Sequence, residues 1–178
     1  MNIRRAILSD AKGIAKVHVD SWKTTYKNII PDDFLEALSY EQRTDLWIRN
    51  ISKETNYIFV AETNQREIIG FADGCKREGN TIENSGDLTS IYLLEEYQKK
   101  GAGKQLLKHL FLQFEKLGFD RVFVEVLEEN ETRFFYEYYG ANLFKSKKTI
   151  IAGADLSLLI YEWNNLNDVL SKLYIPLK

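Results

Sequence analysis

Apolar positions change rhythm several times along the chain. Ile3 to Leu8 reads as a first strand. Ser9 or Asp10 can cap the helix that follows, on which Ile14, Val17, Ser21 and Trp22 fall near one face with His18 beside them. Pro31 stands where helices accept proline, and Asp32 and Asp33 follow at the positive end. Phe34, Leu35 and Leu38 make a short apolar stripe. Ser39 and Gln42 form a capping-box pair for a helix to about Ile51, with Leu46, Trp47 and Ile51 as its apolar side.

The pattern then becomes strand-like. Tyr57 to Glu62 and Ile68 to Cys75 are two runs joined by the polar turn Thr63-Asn64-Gln65-Arg66. Residues 76–86 are polar and turn-rich. Asp87 to Leu94 is nearly all apolar from Ile91 on, which predicts a central strand covered on both faces. Helical rhythm returns after Gly101. Leu106, Leu107, Leu110, Phe111, Phe114 and Leu117 recur at three- and four-residue intervals, and Gly118 ends them. Arg121 to Leu127 is a strand with Val122, Val124 and Val126 on one face. Asn130 can cap a short helix through Tyr139, stopped at Gly140. Asn142 to Ser146 and Gly153 to Trp163 predict a closing pair of strands. In the tail 164–178, Leu166, Val169, Leu170 and Leu173 keep helical spacing, to pack on the body or on a partner.

This order predicts one α/β domain over residues 1–178, a mixed sheet with helices on its faces. A right-handed crossover through the helix at 104–117 would set strands 87–94 and 121–127 side by side and parallel. The length of 178 residues fits one domain. Lys and Arg number 24 against 26 Asp and Glu, a net charge of −2 that gives no global attraction to nucleic acid or acidic lipid. The single cysteine, Cys75, excludes an internal disulfide and a cysteine-based zinc site. His18 and His109 lack ligand-like spacing, so no metal is expected. No apolar run approaches 18 residues and Met1 to Ile14 holds no signal-like core, so no membrane partner and a cytoplasmic location are expected.

The most informative stretch runs from Ile91 through Gln98-Lys99-Lys100-Gly101-Ala102-Gly103-Lys104. It leads from a strand through a polar loop into a helix. Gly101 and Gly103 remove side chains where the backbone turns. Successive free N–H groups there form an anion nest, and the helix start adds positive potential. Lys99, Lys100 and Lys104 bring three charges, so a phosphate or pyrophosphate fits. The spacing is neither that of a P-loop nor that of a dinucleotide fingerprint, because Leu106 stands near the place of the third glycine. A solvated basic turn is the plain alternative.

Gln98, Gly101 and Gly103 match the acyl-CoA loop of the GNAT superfamily of N-acetyltransferases in full, and the chain resembles that superfamily, in particular a large bacterial branch. Asn130, Arg133, the Phe135-Tyr136 pair and Gly140 resemble its later motif. Ser21 to Tyr26, Ile30-Pro31 and the closing Leu159 to Trp163 agree. The resemblance covers nearly the whole chain. It implies a central mixed, mostly antiparallel sheet and transfer of acetyl from acetyl-CoA to a primary amine by direct attack in a ternary complex. The acceptor would be a small-molecule or protein amine, and a homodimer is compatible with it.

The resemblance also assigns residues. It implies that strand 87–94 carries a bulge and splays from strand 121–127, with the cofactor arm in the gap, so that backbone groups of Tyr92, Leu93 and Leu94 would face the pantetheine arm and thioester. Gln98, Lys99, Lys100, Gly101, Ala102, Gly103 and Lys104 would hold the phosphates. Asn130 aligns with a cofactor-contacting asparagine and equally reads as a helix cap. Arg133 would anchor phosphate or pair with a surface acid. Tyr136 aligns with the tyrosine that protonates the leaving thiolate, and otherwise is an aromatic packing residue. Asp87, at the start of the central strand, or Glu83 on the preceding loop would act as general base, directly or through water. Trp22, Tyr26 and Phe34 would line the acceptor cleft, with a core position fitting Trp22 better than Tyr26. A CoA-binding sensor, or an interaction protein using the tail, is the alternative from another class.

Overall fold

The computed structural model describes residues 1–77 and 82–175. Part of the polar turn at 76–86 therefore lies outside the described residues. Among the described residues seven strands form one sheet. Its order is β1 (Asn2–Arg5), β2 (Asn56–Glu62), β3 (Ile68–Lys76), β4 (Ser85–Leu93), β5 (Arg121–Leu127), β7 (Ala154–Trp163) and β6 (Asn142–Ile151). Every neighbouring pair is antiparallel except β4 and β5, which are parallel. This is the mixed, mostly antiparallel arrangement expected. The crossover joining β4 to β5 is α4 (Ala102–Lys116).

Helices cover both faces. Leu106, Leu107, Leu110, Phe111 and Phe114 of α4 are fully buried on one face, against Val122, Val124 and Val126. On the other lie α1 (Ala11–Thr25) and α3 (Tyr40–Ile51). Ile14, Val17 and Trp47 from these helices pack on Ile58, Val60 and Phe71 of the sheet. A third cluster gathers Tyr26, Ile30 and Leu35 around Leu127 and Leu156, with α2 (Asp32–Glu36) at its edge.

Local signals explain most element ends. Ser39 Oγ accepts the Gln42 amide at 3.2 Å and starts α3. Gly101 opens α4 at φ +86° and Gly118 follows its end at φ +78°, both in the left-handed region that favours glycine. The start of α1 differs from expectation, since neither Ser9 nor Asp10 caps it with a side chain. Asp10 instead accepts the Ile7 amide at 2.9 Å and the fork of Arg4 at 2.7 and 2.9 Å, closing a 3-10 turn at Leu8–Asp10.

Three further features have tertiary causes. Strand β6 runs on to Ile151, because β7 offers a pairing partner as far as Ala154. The tail folds back on the body as α6 (Leu166–Tyr174). There Leu166, Val169, Leu170 and Leu173 are buried in the α4-side core. The apolar end of β4 is only half buried at Ile91, Tyr92 and Leu93, because β4 leaves its neighbour there. Among the described residues no helix is long and apolar enough to cross a membrane.

Candidate functional site

The site begins with a break in the sheet. Strands β4 and β5 pair from Ser85 opposite Arg121 to Leu88 opposite Val124, although both strands continue. On the other side of β4, Gly74 faces Leu88 while Asp73 faces Ser90, so Thr89 is an extra residue, a β-bulge. Glycine is required at position 74 for closeness. A Cβ there would stand 2.6 Å from the Phe114 ring and 2.7 Å from the Asp87 carbonyl. Past the bulge the strands part into a V.

Two cavities occupy the opening. The larger, about 420 Å³, extends from Ile91, Tyr92 and Leu93 to Gln98, Lys99, Gly101, Gly103 and Lys104, with Phe135 on its wall. The smaller, about 30 Å³, lies between Thr89–Tyr92 and Val124–Val126 and is bordered by Tyr26, Asn130 and Tyr136. The turn into the larger cavity has Lys99 at φ +58° and Gly101 at φ +86°. No side chain caps α4, so its first amides are left to the cavity side of the helix. A Cβ at Gly103 would already touch Leu93 at 3.4 Å and Phe135 at 3.6 Å, filling space along the lining. Amide donors, a 15-residue helix start and Lys99 at the cavity wall suit a pyrophosphate.

Three tyrosines meet at the apex of the V. The hydroxyls of Tyr26 and Tyr92 are 3.1 Å apart. Tyr136, on α5 (Thr132–Tyr138), is buried edge-on to Phe135 at 5.8 Å and Trp163 at 5.7 Å. Burial, and next the nearby Tyr26, push the Tyr136 phenol well above its ordinary ionisation. Asn130 borders the same cavity, and its Oδ1 accepts the Thr132 amide at 2.9 Å.

Comparison with known proteins follows the same outline. The model of the acetyltransferase (GNAT) family matches residues 19–140. The chain belongs to the GNAT acetyltransferase family. Its fold is the acetyl-CoA-binding fold of that family, whose general chemistry is acetyl transfer. It is 38% identical to the uncharacterized N-acetyltransferase YuaI of Bacillus subtilis, over 94% of this chain and 95% of that one. It is 27% identical to a spermidine N(1)-acetyltransferase of Thermoplasma acidophilum, over 84% of this chain and 91% of that one. A crystal structure of the PaiA N-acetyltransferase of Thermoplasma acidophilum in complex with coenzyme A superposes with a TM-score of 0.68 at 25% identity, covering 90% of this chain and 96% of that one.

Within this GNAT fold the expected residues separate into groups. Tyr92, Leu93, Gln98, Lys99, Gly101, Gly103 and Lys104 line the larger cavity. Tyr26, Tyr92, Asn130 and Tyr136 line the smaller. Gln98 works within the loop, donating Nε2 to the Leu93 carbonyl at 3.2 Å, and Ser21 Oγ donates to the same carbonyl at 3.2 Å. Lys104 is buried and its ammonium donates to the Ile175 carbonyl, so its charge serves the α6 end rather than the open turn. Lys100 stands over the Tyr97 ring at 5.6 Å, and Ala102 is buried; neither lines a cavity. Leu94 is buried as well, with its amide donated to Ile69 at 3.0 Å. Arg133 pairs with Glu137 at 3.6 Å and lies over Phe134 at 4.1 Å, away from both cavities.

The expected bases stand apart from the V. Asp87 belongs to the paired part of β4, where Arg77 binds its carboxylate and lies over the Phe123 ring at 4.4 Å. Burial raises the Asp87 ionisation while Arg77 opposes the rise. Glu83 is in an exposed turn. Neither carboxylate lines either of these two cavities. Burial also reverses the expectation for the aromatic residues: Tyr26 is buried, whereas Trp22 is half-buried and packs edge-on to it at 4.8 Å. Phe34 lies at the margin, 6.5 Å from the Trp22 ring. Sequence reading missed Asp73, Ser90, Phe135 and the Tyr92 phenol. Only the bulge brings Asp73 opposite Ser90; the resemblance implies a bulge in this strand, but no spacing in the sequence marks the residue at which it falls.

Proposed function

We propose that the protein transfers the acetyl group of acetyl-CoA to a primary amine by direct attack in a ternary complex. The V between β4 and β5 carries this reading, because it joins the phosphate-suited turn to the tyrosine apex in one cleft. The amides of residues 99–104 bind the pyrophosphate, and Lys99 adds charge at the cavity wall. The peptide-like pantetheine arm runs along the edge of β4 beyond Leu88, where β5 no longer occupies it. A β4 amide facing the gap polarises the thioester carbonyl and stabilises the oxyanion formed on attack. As the carbon–sulfur bond breaks, the Tyr136 hydroxyl gives its proton to the departing thiolate.

Thiol release from acetyl-CoA with spermidine, free lysine and a peptide bearing an N-terminal alanine tests this. Spermidine is included because one relative is a spermidine N(1)-acetyltransferase. The expected result is release well above background hydrolysis with at least one amine, and a mass gain of one acetyl group on that amine. Coenzyme A binding by calorimetry with no amine turned over would favour the sensor alternative instead.

A further inference from the structure

Buried polar atoms in folded proteins nearly always have partners, so a cluster of unpartnered ones marks a place completed from outside. Among the described residues the unpartnered buried side-chain atoms are Trp22 Nε1, Asp73 Oδ1, Arg77 Nε and Ser90 Oγ. All four belong to one region, the sheet face opposite α4. Asp73 and Ser90 sit opposite each other across the bulge. Ser90 borders the smaller cavity together with Tyr26, against which Trp22 packs. Arg77 lies beyond them, paired with Asp87.

We propose that Asp73 accepts the proton the acceptor ammonium must lose, reached by way of Ser90. The proposal rests on the acetyl-transfer reading and names a base for it. Other carboxylates on this face are engaged, Asp87 by Arg77 and Glu125 by Lys147 at 3.0 Å. Asp73 is 5% exposed and lines neither cavity itself, so it meets the cleft only through Ser90, which lines the smaller one. Facing it are Ile58 from β2 and Ser90 from β4. Lys53, just past α3, acts on it only through its field, and the Gly74 amide hydrogen-bonds its carboxylate. His18 of α1, on the same face, is held uncharged in the neutral range by burial, its ionisation lowered to about 4. Burial dominates for Asp73 and raises it to about 7, where a carboxylate is strong enough to take a proton and still able to release it.

The steps balance. The ammonium gives one proton to Ser90 Oγ while the Ser90 proton passes toward Asp73 Oδ1. Those two oxygens are not bonded to each other, so a water between them completes the path. The freed nitrogen lone pair attacks the thioester carbon; as the carbon–sulfur bond breaks, Tyr136 protonates the sulfur, and the second proton, which the nitrogen loses as the amide forms, returns to the Tyr136 oxygen. Asp73 afterwards releases its proton to solvent.

The test uses acetyl-CoA and the most active of the three amines above. Asp73→Asn should lower kcat by about 100-fold and remove the acidic limb of kcat/KM near pH 7, with coenzyme A affinity within about twofold of wild type. Ser90→Ala should lower kcat by roughly tenfold and keep that limb. Wild-type kcat and an intact limb in Asp73→Asn overturn the proposal. If that variant loses its folded circular dichroism signal, Ser90→Ala decides, and an unchanged kcat there overturns it. An active wild type with an indifferent Asp73 defeats this proposal alone. A wild type that binds coenzyme A and turns over no amine defeats the acetyl-transfer reading and this proposal with it.

Discussion

Tyr136 shows how one side chain serves packing and chemistry together. Its ring fills the angle between Phe135 and Trp163, while its edge borders the smaller cavity beside Tyr26. Burial holds the phenol protonated across the neutral range. A thiolate formed against this buried phenol is also less well solvated and correspondingly more basic, so donor and acceptor are raised together. Tyr136→Phe keeps the ring contacts and removes the proton. In a single-turnover reaction the chemical step should slow by roughly 10- to 1000-fold, with acetyl-CoA affinity unchanged. Single turnover is the right measurement because product release can mask the loss in steady state. A wild-type rate would leave Tyr136 as packing alone. Lys104 makes the opposite case. It lies on the expected turn, yet its ammonium is bound to the Ile175 carbonyl, so a charge near a motif in sequence is not a charge delivered to the ligand.

The glycine turn and the bulge are the elements that make the cleft, and they differ in how far the sequence reveals them. A turn is local. Gly101 at φ +86° in front of a helix can be read from two glycines and the apolar rhythm after them. Gly101→Asp would place a side chain in a left-handed position and a negative charge among the amides. Coenzyme A affinity measured by calorimetry should fall at least tenfold, about 1.4 kcal/mol. Unchanged affinity in the folded variant would remove the turn from the site. The same local logic made α3, with its Ser39 cap, and α4, with Gly118 behind it, legible in outline. The bulge at Thr89 is not local, because it exists only in the register between β3 and β4. Asp73 and Ser90 are therefore not legible as a pair in the sequence, whereas Asp87 sits at the strand's readable start. The half-open end of β4, the full length of β6 and the docking of α6 depend likewise on neighbours distant in sequence.

Across the whole molecule, two buried groups on the α1/α3 side of the sheet oppose one another in their effect on stability. His18 is lowered from 6.5 to about 4, chiefly by burial and then by Arg43, and it accepts the Trp47 indole N–H at 3.1 Å. Its depressed value means stability that is present above pH 6.5 and lost as pH falls toward 4, since the unfolded chain takes up the proton first. Asp73 is raised from 3.8 to about 7, chiefly by burial. Its stability is present below pH 3.8 and lost as pH rises through 7, because the folded state holds the proton longer. Between about pH 4 and 6.5 the two slopes oppose each other, each worth on the order of 3 kcal/mol over its full window. Asp10 and Glu62, both lowered with Arg4 as partner, act at the acid end below this window. Asp87, raised by burial, adds in the sense of Asp73 but is the same in both proteins compared. Asp73→Asn removes one slope and leaves that of His18. Denaturant unfolding at pH 4.5, 5.5, 6.5 and 8 should then show the variant losing stability steadily as pH falls below 6.5, where the wild type changes less. Above pH 7 the variant should be the more stable by a few kcal/mol, because no charge remains to be buried at that position. Parallel curves for the two proteins would mean that Asp73 titrates as an ordinary carboxylate, and a base working near neutral pH would then have to be another group.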